Sequence, residues 1–115
     1  MKLFLSSLLV IAAVGAALSA ALFAQTKQTF TGIITDDMCA NGNHSSMRMG
    51  SNDAECAVAC AFAHGASYVL FDGKTAYLLS DQQTPEKFAG HKVTVTGTLD
   101  DKTKKIQVDS IAAIK

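Results

Sequence analysis

One segment breaks the pattern of this chain. Met38 to His64 reads MCANGNHSSMRMGSNDAECAVACAFAH and holds all three cysteines, two of the three histidines and three of the four methionines. The flanking sequence is rich in threonine, valine and isoleucine, punctuated by glycine and aspartate. Any fold for this chain must be a small β framework that carries a long, chemically loaded connection.

The segment itself divides in two. Asn41, Gly42, Asn43 and Gly50 give its first half the composition of a loop. Asn52 then has the character of a helix N-cap, with Glu55 three residues on to complete a capping box. Asp53 and Glu55 suit the positive end of a helix dipole, Ala54–His64 is rich in the best helix former, and Gly65 is a stop signal. The spacing predicts a helix over 53–64. On it Cys56, Cys60 and His64 recur every four residues and form a stripe about 80° wide. Val58 and Phe62 fall on the other side and are expected to anchor the helix to the framework.

The framework reads as five strands. Thr29–Thr35 is the first, with Phe30, Gly32 and Ile34 on one face and Gly32 marking a bend. Asp36-Asp37 ends it by turn chemistry, and two adjacent carboxylates at a strand end point apart, so they are not a catalytic pair. Tyr68–Phe71 and Thr75–Leu79 flank Asp72-Gly73, a strong hairpin signal. Pro85 opens a short helical turn closed by Gly90. His91–Leu99 alternates, with Val93, Val95 and Leu99 on the apolar face. Lys104–Asp109 follows with Ile106 and Val108 inward, and its parity breaks before Ile111, which predicts a bulge or the strand end near Ser110. A helix between the third and fourth of five strands is the order of a small five-stranded OB-like barrel, here with a loop–helix insertion over 38–66 after strand 1 and a short helix before strand 4. The alternative is an open sheet with one helix packed across it.

Residues 1–24 are expected to be a secretory signal. Lys2 precedes an uncharged apolar run from Leu3 to Phe23 that ends in small residues, with cleavage after Ala21 or Ala24. The competing reading is a retained membrane anchor. Cleavage leaves one domain, 25–115, without a stable membrane anchor, in the periplasm or released. Ten basic residues less Lys2 leave nine against ten acidic, a near-neutral balance that argues against nucleic acid or an anionic membrane surface as partner.

Three pieces of the chain resemble an uncharacterised group of small exported bacterial proteins. They are Gly32–Cys39 with His44 and Met47; Cys56-x3-Cys60 followed by Gly65-Ala66-x-Tyr68-Val69-Leu70; and Phe88–Asp100. The resemblance implies export and an OB-like barrel, and brings no activity with it.

The candidate metal ligands are Cys39, His44, Met47, Cys56, Cys60 and His64, with Met49 nearby. Thiolate, thioether and imidazole together suit copper, above all Cu(I), and thiolate with imidazole also suits zinc. Cys56-x3-Cys60-x3-His64 is similar in spacing to the ligand loop of the binuclear copper centres of cytochrome oxidase, although Ser67 stands where that loop has Met. The alternative reading has no metal. An odd number of cysteines in an exported chain leaves at least one outside any intramolecular disulfide. Cys39 paired with Cys56 or Cys60 would then staple the insertion of an envelope interaction domain, whose partner is another protein. A Cys56–Cys60 bridge along one helix is poorly oriented. No C-x-x-C, P-loop or dinucleotide-binding glycine motif is present, so the chain is expected to be a binding protein rather than an enzyme, with thiol redox activity at one of the cysteines as a third reading.

Overall fold

The structure is a computed structural model, and it describes residues 26–45 and 47–115. The expected signal over 1–24 lies outside the described residues. The rest is mainly β: five strands and one α-helix. The strands are β1 (Gln28–Asp36), β2 (Tyr68–Phe71), β3 (Ala76–Leu79), β4 (Lys92–Asp100) and β5 (Lys105–Ala113), and the helix α1 is Asp53–His64. Two 3-10 turns, Asp37–Cys39 and Thr84–Phe88, follow β1 and precede β4.

Strand pairing runs β1-β2-β3-β5-β4 and returns to β1. All pairs are antiparallel except β3 with β5. β1 serves two neighbours in succession, since Gln28–Ile33 pair with β4 and Ile33–Asp36 pair with β2. Gly32 sits at this handover, where a Cβ would collide with the backbone carbonyl of Phe71. The bend read from that glycine is therefore a close approach of two strands.

The core follows the alternation. Ile34, Leu70, Leu79, Val93, Val95 and Ile106 are fully buried, with Phe30, Leu99, Val108 and Ile111 packed around them. The register of β4 against β5 moves from Gly97↔Val108 to Thr96↔Ser110, which leaves Asp109 as an extra residue. This is the bulge expected near Ser110. It lets Val108 and Ile111, three apart, both face the core.

α1 occupies the predicted residues, and its caps form with one difference. Asn52 accepts the Glu55 N–H at 2.8 Å. The Glu55 carboxylate reaches back one residue further than a capping box requires, taking the Ser51 N–H at 3.0 Å and the Ser51 hydroxyl. Gly65 ends the helix in the left-handed region.

The packing face of α1 bears out the expected anchor Val58 and corrects the other, Phe62. Phe62 is 93% exposed and anchors nothing. Cys56, Ala57 and Cys60 are buried, and Val58 and Ala61 are partly buried against the core. The two cysteines and the alanines form a single inner face. Their small side chains let the helix approach the sheet closely, and at about 100° per residue Phe62 points away from it. A second close approach fixes the start of α1. Gly90 has φ +76°, and a Cβ there would lie 2.9 Å from the Ala54 nitrogen.

Candidate metal centre

The insertion is closed at its neck by one backbone bond and one bond to a side chain. Asp37 N–H donates to the Ser67 carbonyl at 2.9 Å, and Ser67 N–H donates to the Asp37 carboxylate at 3.0 Å. Between these residues lies the segment expected as an insertion over 38–66. Asp37 is exposed and Asp36 fully buried, so the two carboxylates do point apart.

Asp36 is the residue around which the site forms. Its Oδ2 accepts the N–H groups of Met38 and Cys39, both at 3.1 Å, and so caps the 3-10 turn that carries Cys39. Two Asx turns follow, Asn43 N–H to Asn41 Oδ1 and Ser45 N–H to Asn43 Oδ1, each 3.0 Å. With Gly42 at φ +76° they fold the loop back over the end of β1. His44 is thereby buried, 2% exposed, against Thr35 and Asp36.

The Thr35 hydroxyl donates to the Cys39 carbonyl at 3.2 Å and also contacts His44 Nε2 at 3.3 Å. The other ring nitrogen, Nδ1, faces Asp36 Oδ1 at 3.7 Å, and neither atom has a hydrogen-bond partner.

Two buried polar atoms that face each other beyond hydrogen-bonding distance are unfavourable unless a proton or a metal cation lies between them. The Cys39 sulfur completes a group in which one ligand atom each from Asp36, Cys39 and His44 lies within 4.8 Å of the others.

The other two cysteines sit beneath this group on α1. All three cysteines are buried free thiols. The Cys39 and Cys60 thiols are pushed up, first by burial, then by the negative charge of Asp36, then by neighbouring thiols. Cys56 has another partner: its sulfur accepts the Met49 N–H at 2.9 Å and donates to the Met47 carbonyl at 3.3 Å. The backbone of Met47 and Met49 is thus held at the cysteines while both side chains are exposed. His64 is exposed at the last residue of α1, apart from the buried thiols of its stripe.

Of the six residues expected as ligands, Cys39 and His44 come together, Cys56 and Cys60 adjoin them, and Met47 and His64 present exposed side chains. Asp36 was missed. Its signal is the run Asp36-x2-Cys39-x4-His44, in which an aspartate caps a turn whose third residue is a cysteine.

The fold and the cluster define a class, a small β protein with a buried carboxylate–thiol–imidazole group in a loop–helix insertion. Comparison with family models, curated proteins and solved structures gives no match.

Proposed function

We propose that this is an exported binding protein that holds one transition-metal ion through Asp36, Cys39 and His44. The observation that carries the reading is the pair of buried, unpartnered atoms, His44 Nδ1 and Asp36 Oδ1, facing each other beside a thiol. Oxygen, nitrogen and sulfur donors together favour zinc over Cu(I), which prefers thiolate and thioether ligands. Copper remains the competitor, through Cys39, Cys56, Cys60 and Met47. In this reading the closed strand order, with a helical turn between β3 and β4, is an OB-like barrel. The apolar start of the chain supports export.

The experiment is a Co(II) titration of the reduced protein, followed by displacement with Zn(II) and with Cu(I). One equivalent with a thiolate-to-cobalt charge-transfer band, lost in both Cys39→Ser and His44→Ala, is the expected result. Affinity no better than that of a free thiol peptide would overturn the reading. A single titratable thiol in the protein as exported would instead favour the disulfide-stapled interaction domain, a reading supported by the mutual influence of the Cys39, Cys56 and Cys60 thiols.

A further inference from the structure

We infer that the metal reaches its ligands through the cavity between the Asn41–His44 loop and the start of α1, and that Asp53 at its mouth captures the incoming cation; this rests on the metal-binding reading above. The ligands are buried, so an ion needs a path to them. A cavity of about 150 Å³ touches one of them, lined by Thr35 and His44 together with Ile34, Asn41, Asp53 and Gly90, among others. Ile34, Thr35 and His44 are buried, whereas Asn41, Asp53 and Gly90 are exposed. The cavity therefore has a closed inner end at the ligand histidine and an open outer end at a carboxylate.

Asp53 is suited to capture. It is the first residue of α1, and its side chain is 58% exposed. It is held by one cation, Arg48, whose guanidinium lies 3.7 Å from the Asp53 Oδ1 and is itself half exposed. An exposed pair of this kind is weak and opens readily. Once it opens, the Asp53 carboxylate lines the mouth and the buried Asp36 lies beside His44 at the inner end, negative charge that draws a divalent cation inward. Arg48 opposes entry twice, by occupying Asp53 and by repelling the ion.

The imidazole of His44 stands at the inner end. Its one hydrogen-bond contact there is the long one between Nε2 and Thr35 Oγ1, at 3.3 Å.

The test is stopped-flow association of Co(II) with the wild-type protein and with Asp53→Asn, Asp53→Glu and Arg48→Gln, at low and high salt. Asp53→Asn should slow association about three- to tenfold and flatten its salt dependence, Asp53→Glu should restore both, and Arg48→Gln should accelerate association. Equal rates for the wild type and Asp53→Asn, with the cobalt site still filled, would overturn the entry path and leave the metal site standing. Absence of any cobalt site in the wild type would overturn both.

Discussion

His44 Nδ1 and Asp36 Oδ1 lie 3.7 Å apart in the interior, and neither has a hydrogen-bond partner. In the absence of an ion this relationship is a liability to the fold.

That liability yields an unusual expectation for Asp36→Asn. The asparagine oxygen keeps the cap on Met38 and Cys39, since asparagine caps as well as aspartate. Its amide then faces His44 and donates to Nδ1. The metal-free protein should gain about 1–3 kcal/mol, read as a rise in Tm of several degrees. Metal affinity should fall by at least about 100-fold, beyond the ~10–100-fold loss typical of groups that merely support a ligand. Thermal unfolding with and without Zn(II) measures both, and a variant less stable without metal would contradict the argument.

The raised thiols of Cys39 and Cys60 set a pH dependence. Burial, and after it Asp36, keep them protonated when folded. Above the ordinary thiol value of about 8.5 the unfolded chain has lost protons that the folded chain retains, so stability must fall as pH rises. It is fully present below that value and is lost on the way to the folded-state pKa. The Tm of the metal-free protein should be level near neutrality and decline above about pH 9, less steeply in Cys60→Ala. A flat profile for the wild type to pH 10.5 would exclude the effect.

Cys56 has a different task from Cys39. Its sulfur ties Met47 and Met49 to the helix. Cys56→Ala should cost about 1–2 kcal/mol by releasing that tie. Amide exchange should accelerate at Met49, with a smaller loss of metal affinity than in Cys39→Ser. Equal losses of affinity in the two variants would make Cys56 a ligand.

Gly90→Ala tests the seat of α1. A Cβ there meets the Ala54 backbone, and the φ of +76° adds strain. The cost should exceed about 1 kcal/mol, and the displaced helix should weaken metal binding as well. Urea unfolding and the cobalt titration report the two effects, and a neutral substitution would mean that α1 is free to shift.

Much of the framework was legible because each strand carries its own punctuation. Asp72-Gly73, Pro85 and Gly90 mark the turns, Asn52 and Gly65 mark the helix ends, and the parity break before Ile111 reports the bulge at Asp109. The packing of α1 was not legible, because a bulky phenylalanine draws a sequence argument toward Phe62. Close approach of helix and sheet favours the small residues Cys56, Ala57 and Cys60 instead. The site was legible only where its chemistry is rare, at Cys39 and His44. Asp36 looks like a strand-terminating aspartate and does that work with one oxygen. The other oxygen is left unpartnered by the path of the Asn41–His44 loop, and nothing within a few residues of Asp36 encodes that path.

The parallel junction of β3 with β5 is the shortest in the ring. It joins Leu78 to Lys105 and Leu79 to Ile106, reinforced by Leu78 N–H to the Lys104 carbonyl and Ser80 N–H to the Ile106 carbonyl, both 3.0 Å. Under load or heat this is where the sheet should unzip. β1 lies on the far side of the ring, held along its length by β2 and β4. A breathing motion that frees β3 and β5 would leave the strand that carries Asp36 clamped, so the weakest joint can loosen without disturbing the Asp36–Cys39–His44 cluster.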